Sequence, residues 1–158
     1  MQPIYQNPNV PTTDSIYRTN VIVWAAMLIA QFMFLIVLYF AKNELFHNSG
    51  QTAASPSSSA NVPVLILAAA GLGAFVLSFV IKARLIKFAI QDLNVNLVQT
   101  AQIVAYALCE AISLVGLIAA FVFDSHYFWV WFVFGVLGLL LHFPRRENFR
   151  AAAFKGIH

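Results

Sequence analysis

Charge is scarce in this chain. Asp, Glu, Lys and Arg make up only 9% of its 158 residues, against about 25% in soluble domains, and that shortage excludes an ordinary solvated surface. Cysteine is nearly missing as well. Cys109 stands alone, so no intrachain disulfide can form, and a lone thiol inside an apolar run reads as a small apolar filler. The four histidines, His47, His126, His142 and His158, have no companions at metal-ligand spacing, and no metal site is expected. Glycine-rich phosphate loops, a hydrolase elbow and paired loop carboxylates are all lacking. Neither a cofactor nor enzymatic chemistry is expected. The alternation of apolar and polar residues that marks strands is absent too.

What the chain has is apolar length. Apolar residues account for 61% of it. Four runs, 21–41, 62–81, 98–123 and 127–143, reach or approach the roughly 20 residues that cross a hydrocarbon core as a helix; the last is short and spans only if it runs nearly upright. A single segment in lipid must satisfy its own backbone groups, which a helix does. The expected fold class is therefore all-α, an integral membrane four-helix bundle over 21–143. A mobile proline-containing arm at 1–20 precedes it, and a basic tail at 144–158 follows.

Four spans place both ends and the middle loop on one side of the bilayer. Arg18, Lys82, Arg84, Lys87, Arg145, Arg146, Arg150 and Lys155 fall on that side and only Lys42 on the other. The positive-inside rule then makes the N and C termini cytoplasmic, and a bacterial inner membrane is the expected location. Because the cations flank span ends without forming a dense patch, no nucleic-acid partner is expected. In the tail, Arg145, Arg146 and Arg150 are interleaved with Phe149 and Phe154, which suits an anionic membrane surface, where each cation contributes about 1 kcal/mol. A plain stop-transfer flank accounts for them equally well.

The third run carries the one acidic residue found inside a span. Glu110 sits midway along 98–123, about 18 Å from either end at 1.5 Å per residue, too far for its carboxyl to reach water by stretching. Gln99, Gln102, Tyr106, Glu110 and Ser113 follow one another at spacings of three or four and so share one helix face. Such faces turn toward protein or a watery cavity. With no Lys or Arg in the spans to balance it, the carboxyl is expected in its neutral form, since desolvation penalises the ion. In the second run, Ala69 with Gly73 and Ala70 with Ala74 make small-xxx-small pairs beside Gly71, the pattern of close helix approach; Gly116 offers the same on the third.

The segment "VQTAQIVAYALCEAISLVGLIAAFVF", 98–123, resembles the second helix of the proton-carrying c subunit of rotary ATP synthases. In that family a carboxylate follows an Ala-Leu-x step and precedes Ala and a Gly-Leu-Ile sequence; here those positions are Ala107, Leu108, Cys109, Glu110, Ala111, Gly116, Leu117 and Ile118. The resemblance covers roughly 62–123 and implies that Glu110 stands at the family's ion-binding carboxylate, in a helical hairpin with a cytoplasmic turn. The preceding helix carries only Gly71 and Gly73 where the family has a glycine run, and the Arg-Gln-Pro loop motif is absent.

Three roles for Glu110 follow: a proton or cation site in a subunit of a larger membrane complex, a neutral staple between helices of an accessory subunit, or a contact to a partner. The expected partners are the lipid bilayer and other membrane subunits or further copies of the chain. A small cation-coupled exporter is a further reading, resting mainly on helix count and a single membrane glutamate.

Overall fold

The computed structural model describes residues 12–47, 61–125 and 127–153. Most of the N-terminal arm, the connector at 48–60, His126, Phe154, Lys155 and His158 lie outside them.

Every regular element among the described residues is helical. Helix α1 spans Thr13–Ala41, α2 is the short Glu44–His47, α3 spans Asn61–Gln91, α4 Val95–Phe123, α5 Phe128–Leu141 and α6 Arg146–Ala153. Three of these, α1, α3 and α4, are long and apolar enough to cross a membrane, and a fourth crossing is reached if α5 and α6 count as one span bent by 47°. The chain is thus compatible with a multi-pass membrane protein.

The helices run past the apolar segments that mark them. Helix α1 starts at Thr13, inside the stretch expected to be a mobile arm, because Thr12 caps it: its side chain accepts a hydrogen bond from the Ser15 N–H at 3.3 Å, satisfying one of the orphan donors of a first turn. Helix α3 continues through the basic segment expected to connect it to α4, so the true connection is only Asp92–Asn94. Asn94 ends that turn by accepting from the N–H groups of Asn96 and Leu97 at 3.1 and 3.3 Å, and Leu93 makes the reversal at a positive φ of 51°. Hydropathy falls off before the hydrogen-bonded ladder does.

The run at 127–143 is only partly a regular helix. Helix α5 covers 14 residues, about 21 Å at 1.5 Å per residue, short of a hydrocarbon thickness of about 30 Å. Pro144, which is buried, disfavours helical backbone at the residue before it and separates α5 from α6.

Helix α4 is the centre of the bundle. It packs most extensively on α3, then on α5 and α1, and its inner face is built largely of small residues, among them Ala101, Ala105, Cys109, Gly116, Ala119 and Ala120. The outer faces of α1 and α3 remain apolar and exposed, with Ile22 at 69% and Phe40 at 79%, as lipid-facing or partner-facing surfaces are.

Helices α1 and α4 run in the same direction and stay in register. Gln31 meets Ser113 and Lys42 meets Asp124, both pairs 82 residues apart; the packing of Ile16 with Val98 and of Leu38 with Ala120 keeps the same offset. Asn20, Gln31 and Lys42 are spaced by eleven, and so are Gln102, Ser113 and Asp124. An 11-residue repeat is 3.67 residues per turn, close to a straight helix, so polar rungs return to the seam every third turn.

Candidate functional site

The polar stripe of α4 does not stay together. Gln102, Tyr106 and Ser113 are fully buried, whereas Gln99 and Glu110 are half-buried. The cause is helical geometry: Cys109 faces the core, and its neighbour Glu110 is turned about 100° further round. Glu110 takes part in no hydrogen bond or ion pair among the described residues. It lies level with Leu28, the α1 residue at the same register, a partly buried side chain that packs against the cluster of Tyr106, Cys109 and Leu139.

The bonding that joins the helices is supplied by residues beside the stripe. Ser113 donates to Gln31 Oε1, and the Gln31 amide donates to the Cys109 carbonyl at 3.4 Å; Gln31 and Ser113 are both fully buried. Gly135 of α5 closes against this group. A Cβ there would come 2.8 Å from Gln31 Oε1 and 3.1 Å from the Cys109 carbonyl, with Ser113 Oγ nearer still. One turn on, a Cβ at Gly138 would lie 2.7 Å from Cys109 Sγ, so the cysteine is indeed a small filler under a glycine.

The small residues expected to pack on α3 are used unevenly within this chain. Ala69, Ala70 and Gly73 are exposed and Ala74 is half-buried, and nothing lies within 4 Å of a Cβ built on Gly73. Gly71 does lie under another helix: a Cβ built there would come 2.8 Å from the Trp131 ring. A Cβ built on Gly116 would come 3.0 Å from the Phe128 carbonyl and from the Trp131 Cβ. Small-xxx-small spacing identifies a face that permits close approach; whether another helix occupies it depends on the rest of the bundle.

A second polar group closes the end of α5. His142 is 1% exposed, and its Nε2 lies 3.1 Å from Ser78 Oγ. The Ser78 hydroxyl already donates to the Phe75 carbonyl at 2.7 Å, so the serine oxygen is the acceptor and the histidine carries its proton on Nε2. Lys82 donates to the His142 carbonyl at 3.2 Å and Trp24 to the Leu139 carbonyl at 2.7 Å, satisfying carbonyls that the last turn of any helix leaves open. His142 thus has a hydrogen-bond partner 64 positions away in the chain.

The third group is Asn20, Gln102 and Tyr106. All three are 0% exposed, and both amide atoms of Asn20, both of Gln102 and the Tyr106 hydroxyl have no protein partner.

In the tail, Arg145, Arg146 and Arg150 are exposed, while Phe149 is 1% exposed and packs with Ile16, Ala89 and Val98. Arg146 sits over the Tyr17 ring at 4.8 Å and Phe149 meets that ring edge-on at 5.8 Å. Helix α6 thus folds back onto the end of the bundle where α1 and α4 begin. On α5, Trp129 is 55% exposed, whereas Trp131 turns inward onto Gly71.

Reading the α4 stripe alone missed Asn20, Gln31, Ser78 and Gly135. The signal that marks two of them is the matched eleven-residue spacing of polar residues on α1 and α4. Compared with known proteins, the chain matches no family model, no curated protein and no solved structure.

Proposed function

We propose that this is a non-enzymatic multi-pass membrane protein with cytoplasmic termini, working as one subunit of a larger membrane assembly in which Glu110 binds a proton or a cation. The carrying observation is the position of that carboxyl. It lies midway along an apolar helix, half-buried, off the core face, and without an internal hydrogen bond. A carboxyl held midway along a membrane-spanning helix without a partner is costly, so what satisfies it comes from outside the chain: a proton, a cation, water or a neighbouring subunit. The resemblance of residues 98–123 to the c-subunit helix supports the same role, and the concentration of cations at the end where α1 and α4 begin supports the cytoplasmic termini.

The test is labelling by a hydrophobic carbodiimide in native membranes, read by mass spectrometry, with Glu110→Gln as control. Labelling of Glu110 that declines as pH is raised is the expected result, because the reagent needs the protonated acid. No labelling at any pH would remove the ion-binding role.

A structural accessory subunit is the second reading, favoured by the exposed apolar faces of α1 and α3. Under it Glu110 is bonded to a partner helix, and Glu110→Gln preserves assembly while Glu110→Leu weakens it. Equal assembly of all three forms would exclude that reading.

A further inference from the structure

We infer that Asn20, Gln102 and Tyr106 form an internal water-binding site in the seam between α1 and α4. Asn20 and Gln102 occupy the first polar rung of that seam, at the offset that brings Gln31 to Ser113 and Lys42 to Asp124. Tyr106 is one turn further along α4, and long helical side chains lean back toward the N-terminus, which carries its hydroxyl toward Gln102. The three side chains are wholly buried and five of their polar atoms have no protein partner. The other two rungs are satisfied within the protein; this one is not.

The chemistry of the five atoms selects the ligand. Two amide NH2 groups and a phenol are donors, two amide oxygens and the phenol oxygen are acceptors. A bare cation would leave both amide N–H sets unpaired. An anion would leave both carbonyl oxygens unpaired. Water serves donors and acceptors together. A buried water makes about 3 hydrogen bonds, so about two molecules satisfy the group. Leaving all five buried polar atoms unpaired costs more than immobilising two ordered waters.

The site goes beyond the reading of Glu110 and does not rest on it: Gln102 and Tyr106 face the core, while Glu110, further along α4, lies off the core face.

The experiment is X-ray hydroxyl-radical footprinting of the full chain in native-like membranes prepared in 18O-labelled water, which marks side chains beside bound water even when they are buried. Tyr106 is compared with Phe132, which is 2% exposed in an apolar cluster. The expected result is rapid 18O incorporation at Tyr106, several-fold faster than at Phe132. Incorporation no faster than at Phe132 would overturn the site and mean that the amides pair directly with each other. In Asn20→Leu with Gln102→Leu, the Tyr106 signal should fall to the Phe132 level; an undiminished signal would overturn the assignment of the amides as the water ligands. Should that variant fail to fold, the comparison within the wild-type chain decides alone. Carbodiimide labelling of Glu110 is read separately, so failure of either proposal leaves the other standing or falling by its own measurement.

Discussion

Ser113 on α4 donates its hydroxyl to Gln31 on α1, closing a fully buried hydrogen bond between helices 82 residues apart in the chain. The bond occupies the space that a side chain at position 135 would need, so three helices meet at one point.

The first prediction concerns that point. Alanine normally improves on glycine in a helix by about 1 kcal/mol. Gly135→Ala should do the reverse, because its methyl collides with Gln31, Ser113 and the Cys109 carbonyl; overpacking of this kind costs about 1 to 3 kcal/mol. Gly73→Ala, which meets nothing within 4 Å, should be neutral or stabilising. Unfolding of both variants in mixed micelles checks the contrast.

A second prediction addresses how much the buried bond contributes. Gln31→Leu strands no donor, since the Ser113 hydroxyl can turn to the carbonyl of Cys109 four residues back. A double-mutant cycle of Gln31→Leu with Ser113→Ala should therefore give a coupling of about 0.6 kcal/mol, as interhelical bonds in membranes do on average, and not above about 1.7. A coupling near zero would mean the two side chains are neighbours without being partners.

The turn between α3 and α4 supplies a third. Leu93 is held at φ 51°, a conformation that costs an L-residue about 1 to 2 kcal/mol. Its side chain is 42% exposed, so little packing is lost on removing it. Leu93→Gly should raise stability by about 1 kcal/mol, while Leu93→Ala, which keeps the Cβ, should not; thermal unfolding of the two variants separates backbone strain from side-chain loss.

These sites show which parts of the structure the sequence discloses. The cores of α1, α3 and α4 are legible because crossing a bilayer demands a continuous apolar run, a local property. Their ends are not, because Thr12 and Asn94 cap helices in polar sequence that hydropathy treats as loop. The face on which α3 packs is hidden for another reason: Gly71 and Gly73 carry equal small-residue signals, and only the location of Trp131 makes one of them matter. Glu110 is conspicuous in sequence because a lone carboxylate in a span needs a cause. Its separation from Gln102, Tyr106 and Ser113 follows from the angle between the core face of α4 and the edge of that stripe, which the positions of α1 and α5 set.

The last prediction separates the roles open to Glu110. If the carboxyl bonded helices within this chain, Glu110→Leu would destabilise the isolated protein. In the structure it has no such bond, so both Glu110→Gln and Glu110→Leu should leave the unfolding of the purified chain within about 0.5 kcal/mol of wild type, the range of substitutions that touch no specific feature. Their effects should appear instead in the native membrane. Carbodiimide labelling is lost in both variants. Under the ion-binding reading, proton-linked activity of the assembly is lost with it even where Glu110→Gln still assembles, since an amide keeps the hydrogen bonds of a protonated acid and cannot release its proton. Stability measured on the purified variants, beside assembly and proton-linked activity measured in membranes, therefore tells an internal staple from a partner contact and a partner contact from an ion site.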